Sequence, residues 1–455
     1  MTMIRTIRYI ATGIALAATM TVHAGEVLGV KGEKHSSFAF YVKDLRSGQV
    51  TFESDADRAL VPASILKSVT SASALSLLGK DFRFATPVYF KGEVDKDSGK
   101  WSGRLTIKGV GDPTLDSENF DNNGGFCDSI VSGLKRLGVN KIIGDITVSA
   151  DMTETGPVDQ WEIDDVAWSY GAGLFGFNYR DNIFRLWPKS GKTVPEVPGL
   201  NVIKVADKSG TNLERGIYSD NLVVTSSRLG EAKYSVASTM PDPARVFVNE
   251  LKNKLAAADI KFVQSKVKYG ANADSVFVYQ RLSPALDTVL RSLMERSDNM
   301  YAEGMLRALA PGKSRSAAIA VEKKFLDSLG VVTDFVTIRD GSGLARVDRV
   351  SARFMGEMLE RMSAGANGET YRSLFPVAGV SGTMKNFMGD TRLKGRLAFK
   401  TGSMNGVQCY AGYVLDSDGA PTHVAVIMAN SFFCTRPELR DAIKAFLLSQ
   451  FDIED

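Results

Sequence analysis

The chain has 455 residues, 44% hydrophobic and 24% charged, and these values exclude a disordered, collagen-like or coiled-coil protein. Its length is too great for a single hydrophobic core, so two or three domains are expected. The 55 Lys and Arg residues nearly balance the 52 Asp and Glu residues, and a formal net charge of +3 gives no cationic excess for nucleic-acid binding.

The first 24 residues have the composition of a secretory signal peptide. Arg5 and Arg8 precede an uncharged run at 10–22, and small residues stand three and one positions before Gly25. A membrane anchor is the alternative, but the run is well short of the roughly 20 apolar residues that span a bilayer. We therefore expect cleavage after Ala24 and export to the periplasm.

The mature chain is predicted to begin with a hairpin and a helix. Strands are predicted at 37–43 and 49–54, on either side of a turn at 46–48. A helix is predicted from 62 to 78, because proline suits a first helical turn and Gly79 suits the end of a helix.

From about residue 84 the pattern changes to short strands separated by glycine-containing turns, with two amphipathic helices. The predicted elements of this region are strands at 86–91, 103–110, 141–149 and 221–226 and helices at 125–137 and 243–258.

Helical periodicity returns after Ser283, with a break at Ser297 between two helices. Two further strands are predicted, at 398–414 and at 423–429, and a terminal helix is predicted after Pro437.

These elements indicate an α/β (α+β) protein in which one domain is split by another region. Residues 25–83 and 283–455 are predicted to form a helix-and-sheet domain. The inserted region, residues 84–282, is expected to form two small β-rich domains.

The three cysteines are predicted to be buried thiols and not to form a disulfide. Cys409 and Cys434 are placed on two strands joined by a turn at 416–419, but their positions do not face each other across it. Cys127 is distant in sequence.

A serine nucleophile in this chain would need a base other than histidine. After cleavage only His35 and His423 remain, and no Gly-x-Ser-x-Gly sequence occurs. His and Cys clusters with zinc-ligand spacing are also absent from the sequence, so we expect no metal and no cofactor. A Ser-x-x-Lys pair on a helix is the alternative, because residues three apart share a face.

The Ser-x-x-Lys spacing recurs in the sequence, and its context favours the copy that begins at Ser64. Ser64 precedes Lys67 and lies two residues after Pro62, where free backbone N–H groups and the helix dipole favour a developing anion. Ser132, three residues before Lys135, lies within an amphipathic helix and lacks those donors.

Ser-x-Asn also recurs in the sequence, and Lys-[Ser/Thr]-Gly occurs three times. Ser297-Asp298-Asn299 falls in a helix break, where a polar side chain can project into a cleft, although Asp298 can also cap the next helix. Lys400-Thr401-Gly402 is placed at the start of a strand whose small side chains suit an extended peptide along its edge. The other copies, at a strand start or in apparent turns, include Ser117, Ser219, Lys189 and Lys208.

In the order Ser-x-x-Lys, Ser-x-Asn, Lys-Thr-Gly, the motifs resemble those of the penicillin-recognising serine enzymes. Segments 109–115, 161–170, 340–346 and 379–383, with the large insertion, resemble the D-alanyl-D-alanine carboxypeptidase/endopeptidase family. These are the S13 serine peptidases, or class C low-molecular-mass penicillin-binding proteins. The resemblance covers about residues 30–450 and implies a transpeptidase-like antiparallel sheet flanked by helices and split by a mostly β insertion.

The resemblance implies a role for each motif residue. Ser64 would be the nucleophile that forms an acyl-enzyme, and Lys67 would be its base. Lys67 must be neutral, which requires its pKa to fall by ~3 units, and both burial and nearby Lys400 favour that fall. Ser297 would relay a proton to the leaving amine, and Asn299 would hold the acyl peptide.

The third motif is expected to bind the end of the substrate. By the same resemblance, Lys400, Thr401 and the adjoining Gly402 would receive its terminal carboxylate. The backbone N–H groups of Ser64 and Ser403 would form the oxyanion hole.

Four further residues match positions that in relatives approach the side chain of the substrate's diamino acid: Asp165, Tyr170, Arg346 and Asn405. An interdomain salt bridge is the alternative role for Asp165 and Arg346. Trp161 and Trp168 are more typical of core residues than of ligand platforms.

The leading hypothesis is a periplasmic serine D,D-carboxypeptidase and D,D-endopeptidase that hydrolyses D-Ala-D-Xaa bonds of peptidoglycan stem peptides. β-Lactam antibiotics would act as acylating inhibitors, and whether the protein forms a homodimer is left open. A serine β-lactamase or esterase is the first alternative. Class A β-lactamases have a Glu followed four residues later by an Asn, and no Glu between the second and third motifs has that neighbour. A non-catalytic protein that binds cell-wall peptides is the second alternative, but it would be expected to have lost a catalytic residue.

Overall fold

The computed structural model describes residues 26–266 and 273–451. The predicted signal peptide at 1–24 lies outside the described residues. Within the described ranges, none of the helices combines the length and the apolar character that a bilayer-spanning segment needs.

The strands form two five-stranded and two three-stranded sheets in the described part of the chain. In chain order their bounds are β1 (Ser37–Asp44), β2 (Val50–Ser54), β3 (Ala85–Asp95), β4 (Lys100–Gly109), β5 (Lys141–Ala150), β6 (Ile183–Trp187), β7 (Lys192–Val194), β8 (Asn201–Val205), β9 (Asn212–Glu214), β10 (Asn221–Thr225), β11 (Val236–Thr239), β12 (Lys261–Gln264), β13 (Asp274–Leu282), β14 (Leu397–Met404), β15 (Val407–Leu415) and β16 (Pro421–Asn430).

Helices pack against the two large sheets. Their bounds are α1 (Lys67–Leu78), α2 (Phe126–Arg136), α3 (Pro243–Ala257), α4 (Leu286–Arg296), α5 (Asn299–Ala308), α6 (Arg315–Ser328), α7 (Ala352–Ala364), α8 (Gly368–Arg372) and α9 (Arg436–Gln450).

The first large sheet has the order β14-β15-β16-β1-β2, and all its pairings are antiparallel. Both of its faces are covered, so its central strands are continuously apolar. In β16, Val424 and Val426 pack with α1 and α7, whereas Ala425 and Ile427 pack on the opposite face with α9. The predicted antiparallel sheet flanked by helices is confirmed.

The single strand predicted at 398–414 is wrong, because the structure has two strands there. β14 and β15 form a hairpin closed by Asn405 and Gly406, and Gly406 has a φ of +71°. Asn-Gly is a favoured two-residue hairpin loop, and here Gly406 is the residue of the two that adopts a left-handed backbone. As a result Lys400 is the fourth residue of β14 and not its first, and β14 is the edge strand of the sheet.

All three cysteines are buried free thiols, as predicted. The placement of Cys434 on a strand is wrong, because β16 ends at Asn430. Cys409 lies opposite Met428 in the sheet, so the two cysteines do not face each other.

The inserted region contains the second large sheet, of order β12-β5-β4-β3-β13, and the two small sheets, β11-β6-β7 and β8-β10-β9. Together with α2 and α3, their buried side chains form a hydrophobic core separate from those of the first sheet. The region begins and ends at one place, where Phe84 and Ser283 exchange two hydrogen bonds of 2.9 Å. The chain therefore leaves the first sheet's domain and returns to it at adjacent points.

The close packing of α7 on β1 predicts that an added side chain at this contact destabilises the protein. A Cβ atom at Gly356 of α7 would overlap the buried ring of Tyr41. Gly356→Ala is therefore expected to lower the free energy of unfolding by about 1–3 kcal/mol, although alanine is the better helix former. Urea unfolding followed by circular dichroism measures the change. In the control Gly365→Ala the nearest atoms are 3.5 Å away, and destabilisation equal to that of Gly356→Ala would contradict the prediction.

Candidate active site

The candidate nucleophile Ser64 lies in a turn that precedes α1. Residues Ala63–Leu66 form a 3₁₀ turn, and Lys67 is the first residue of α1. The predicted helix from 62 therefore begins in a tighter conformation. Ala63 has a φ of +48°, a strained value for a residue with a Cβ atom.

The amine of Lys67 is fully buried and has three hydrogen-bond partners. Its Nζ lies 2.9 Å from Ser64 Oγ, 2.6 Å from Asn299 Oδ1 and 2.6 Å from the carbonyl oxygen of Ser342. The amide oxygen and the carbonyl can only accept hydrogen bonds. A neutral amine, which has two N–H groups, would give both to them and direct its lone pair at Ser64 Oγ.

Burial also favours the neutral form of this amine. It is the largest cause that lowers the pKa of Lys67 from 10.5 to about 8, while the carboxylates of Asp340, Asp298 and Glu303 act in the opposite direction. The direction agrees with the requirement inferred from the sequence. The repulsion between the two amines acts on Lys400, whose pKa is lowered well below its usual value by burial and then by Lys67.

The second motif reaches the third through Ser297. Ser297 ends α4 with a φ of +59°, which explains the break predicted there. Its Oγ accepts a 2.9 Å hydrogen bond from Lys400 Nζ, which also donates to the carbonyl of Thr401 at 2.7 Å. Lys400 is fully buried, so an anion placed beside it would raise its pKa again.

Asn299 uses both ends of its amide within the protein. Its Oδ1 accepts from Lys67, and its Nδ2 donates to the carbonyl oxygen of Tyr170 at 2.8 Å. The second bond comes from the inserted region and fixes which end of the amide faces the amine. The predicted contact of Asn299 with an acyl peptide stays a prediction.

The third motif lies directly against the turn that carries Ser64. A Cβ atom at Gly402 would lie 3.1 Å from the backbone nitrogen of Ser64, which places the motif beside the predicted oxyanion hole. Thr401 Oγ1 donates to Thr383 Oγ1 at 2.8 Å, and Arg436 donates to Ser403 Oγ at 2.6 Å. Neither Thr383 nor Arg436 was assigned a role from the sequence.

The four residues predicted to recognise the diamino acid form two separate pairs. Tyr170 Oη donates to Asp165 Oδ1 at 2.9 Å, and burial raises the pKa of that carboxyl group. Arg346 donates to the carbonyl of Asn405 at 3.2 Å and forms a 2.7 Å ion pair with Glu162 of the inserted region. Arg346 is thus an interdomain salt-bridge residue, and its partner is Glu162.

Four residues were predicted to support the fold and not to contact the substrate: Asp298, Ser132, Trp161 and Trp168. Asp298 Oδ1 accepts from the backbone N–H of Tyr301 at 3.0 Å, which confirms it as the cap of α5. Ser132 lies within α2, as predicted. Trp161 is buried, whereas Trp168 is half-buried and stacks on the ring of Tyr170.

Across the described ranges, no group of three or more His, Cys, Asp or Glu side chains is arranged to hold a metal ion. Glu303, a buried acid that acts on Lys67, is engaged within the protein. Glu303 accepts from the backbone N–H of Gly341 at 2.7 Å and pairs with Arg315 at 3.4 Å.

Known proteins of one kind match this chain. The model of the D-Ala-D-Ala carboxypeptidase 3 (S13) family matches residues 28–449. A D-alanyl-D-alanine carboxypeptidase of Actinomadura sp. (strain R39) is 25% identical over 83% of this chain and 75% of its own length. One of Haemophilus influenzae is 24% identical over 84% of this chain and 83% of its own length.

Solved structures show the same fold. The crystal structure of penicillin-binding protein 4 from Haemophilus influenzae matches with a TM-score of 0.76 and 21% identity, over 91% of this chain and 96% of that one. That protein has also been solved in complex with a β-lactam, and this structure matches with a TM-score of 0.74 and 21% identity, over 93% of this chain and 97% of that one.

The environment of Lys67 predicts the pH dependence of Ser64 reactivity. With a pKa of about 8, the amine is mostly protonated at pH 6 and mostly neutral at pH 9. The rate constant for acylation by saturating labelled penicillin should rise about tenfold per pH unit below that pKa and level off above it. Saturating penicillin is specified because its carboxylate, bound at Lys400 as predicted, would keep that amine charged at each pH.

Lys67→Arg is the control for this profile, because a guanidinium group does not lose its proton in this range. The variant should not be acylated at any pH from 6 to 9. A wild-type rate constant that does not change between those limits would contradict Lys67 as the titrating base.

Proposed function

The chain belongs to the D-Ala-D-Ala carboxypeptidase 3 (S13) family, and we propose that it hydrolyses D-Ala-D-Xaa bonds of peptidoglycan stem peptides through an acyl-enzyme on Ser64. The observation that carries this mechanism is the 2.9 Å contact between Ser64 Oγ and a buried Lys67 amine. Because two acceptors engage the amine's hydrogens, its lone pair is left for the serine proton.

In the acylation step Ser64 Oγ attacks the carbonyl carbon of the substrate's D-alanine while Lys67 Nζ takes the hydroxyl proton. A C–O bond forms, the O–H bond breaks, and the carbonyl π electrons move to the oxygen. The backbone N–H groups of Ser64 and Ser403 would stabilise this oxyanion. Ser64 stands at a helix start, where the dipole favours the same charge.

Collapse of the tetrahedral intermediate breaks the C–N bond. The leaving nitrogen takes a proton from Ser297 Oγ. That hydroxyl recovers the proton that Lys67 took from Ser64, which returns Lys67 to its neutral form. Lys400, whose Nζ lies 2.9 Å from Ser297 Oγ, supports this role. Its positive charge would stabilise the negative charge that develops on the serine oxygen as the proton departs. The products of this step are the acyl-enzyme and the free amine of the leaving D-amino acid.

In the second step water attacks the acyl carbon and gives its proton to Lys67. The C–O bond to Ser64 breaks, and the serine oxygen takes that proton back, which restores the free site and releases a peptide carboxylate. The side chains of Ser64, Lys67 and Ser297 carry the protons in all of these steps, so the mechanism needs no metal or cofactor.

Recognition of the substrate's end rests on the edge strand β14. The first part of this edge is occupied, because Leu397 and Phe399 hydrogen-bond to the segment 376–378. An extended peptide can pair with the edge from Lys400 onward, and the Lys400 amine and the Thr401 hydroxyl would then meet the terminal carboxylate. Thr383, 2.8 Å from Thr401, would orient that hydroxyl. Binding of the carboxylate would return the Lys400 amine to its charged form.

Endopeptidase activity follows from the same chemistry. The nucleophile, the base and the oxyanion donors act on the D-alanine carbonyl, whichever amine leaves. A cross-linked peptide presents a D-amino acid with a free carboxylate at that position, so we propose that cross-links are cut as well as terminal D-alanine released.

β-Lactams are proposed to acylate Ser64 and to leave slowly. Rapid hydrolysis, as in a β-lactamase, would need an additional base for the deacylating water. Glu303, an acid on the helix of the second motif, is only 1% exposed and already hydrogen-bonded to the backbone N–H of Gly341. It is therefore not available to activate water at Ser64.

Export to the periplasm is proposed from the first 24 residues, and the N-terminal mass of the protein recovered from cells would test it. A mature N-terminus at Gly25 is the expected result. Retention of the leader in all of the protein would contradict the proposal.

A labelled penicillin tests the acyl-enzyme. Intact-protein mass spectrometry should show one long-lived adduct per chain, and peptide mapping should place it on Ser64. Ser64→Ala should abolish the adduct, whereas the matched control Ser132→Ala should keep the wild-type rate, because Ser132 has the same Ser-x-x-Lys spacing within α2. Rapid turnover of the adduct would favour a β-lactamase, and labelling elsewhere would refute the mechanism.

Purified muropeptides then test the substrate. Wild-type protein should release D-alanine from pentapeptides and monomers from cross-linked dimers, and Ser64→Ala should do neither. Release of D-alanine without any cleavage of dimers would restrict the function to carboxypeptidase activity.

A further inference from the structure

An indole N–H group of the inserted region reaches a buried carboxylate of the peptidase domain. Trp161 Nε1 donates a 2.7 Å hydrogen bond to Asp340 Oδ2. Trp161 is 7% exposed and Asp340 is fully buried, so this bond is shielded from water.

Asp340 organises the loop that follows it. Its two oxygens also accept from Ser342 Oγ at 2.8 Å and from the backbone N–H groups of Gly343, Leu344 and Ala345 at 2.7, 3.1 and 3.0 Å. One side chain therefore fixes the path of four successive residues, and Trp161 supplies the one bond among these that comes from outside the loop.

This loop contacts the base Lys67 and packs against the turn that carries the nucleophile Ser64. The carbonyl of Ser342 accepts from Lys67 Nζ at 2.6 Å. The adjacent Gly343 lies so close to the carbonyl of Ala63 that a Cβ atom would overlap it, and Ala63 directly precedes the nucleophile Ser64. A shift of the loop would change the direction of the amine and the support of the strained turn together.

We propose that Trp161 is a positioning residue for the base Lys67, acting through Asp340, so that the seating of the inserted region sets the rate at which Ser64 is acylated. The inference rests on the proposed function, because it concerns the same nucleophile and base. It assigns to the inserted region a direct part in the chemistry of the other domain.

The packing of Trp161 can be separated from its hydrogen bond. Its ring packs with Val158, Leu344 and Ala345, and Trp161→Phe retains an aromatic ring there while it removes the N–H group. Trp101 provides a matched control in the same region, since it is 1% exposed and its Nε1 has no hydrogen-bond partner among the described residues. Trp101→Phe thus removes a buried indole without removing such a bond.

The experiment measures the non-covalent dissociation constant and the acylation rate constant of full-length protein with labelled penicillin. Trp161→Phe should acylate about 10-fold more slowly, as expected for a misplaced catalytic group, with an unchanged dissociation constant and one site per chain. Trp101→Phe should acylate at the wild-type rate. Equal acylation rate constants for the two variants would overturn the proposal. So would a Trp161→Phe variant with fewer reactive sites per chain but an unchanged rate constant.

Ser342→Ala keeps the proposal testable if Trp161→Phe does not fold. It removes the 2.8 Å bond from Ser342 Oγ to Asp340 but leaves the carbonyl that Lys67 contacts. Slower acylation at constant affinity is expected, and a wild-type rate would overturn the proposal. Failure of wild-type protein to acylate at Ser64 would instead refute the proposed function, so the two failures are distinguishable.

Discussion

The site depends on keeping one buried amine neutral beside a serine. The pKa of Lys67 falls from 10.5 to about 8 because the amine is removed from water. Since the pKa is lower in the folded chain, this group opposes folding at every pH below its unfolded value, and the penalty vanishes above that pH. At neutral pH the penalty is about 3 kcal/mol, so the rest of the packing must offset a cost that serves reactivity.

Partial protonation of the buried acid Glu303 limits how far it raises the pKa of Lys67. Burial raises the pKa of Glu303 to about 7. Near neutral pH this carboxyl group is therefore only partly ionised, and it places less negative charge near Lys67 than a fully ionised carboxylate would. Asp340 receives five hydrogen bonds, from Trp161, Ser342 and three backbone N–H groups. The same burial that lowers the amine's pKa thus also weakens the charges that would oppose it.

The catalytic side chains could be predicted from the sequence, because their residue types and spacing indicate their chemistry. Ser64 and Lys67 could be chosen over Ser132 because Pro62 marks a helix start. Sequence reasoning misread 398–414 as one strand, although Asn405-Gly406 is a hairpin signal, because the apolar run continues on both sides of it. It did not assign the carbonyl of Ser342 to the site, since a backbone acceptor has no identity in a sequence and the contact joins residues far apart in the chain.

The inserted region has its own core and a single point of departure and return, so its connection alone would allow it to move as a unit. It contacts the other domain at several places, and two of these contacts involve groups that lie next to the base Lys67. The carbonyl of Tyr170 orients the amide of Asn299, and Trp161 holds the loop that directs Lys67. Asn299 and Ser342 are the two acceptors that occupy the amine's hydrogens. One is held through Tyr170 and the other through Trp161, so the direction of the Lys67 lone pair depends on both domains.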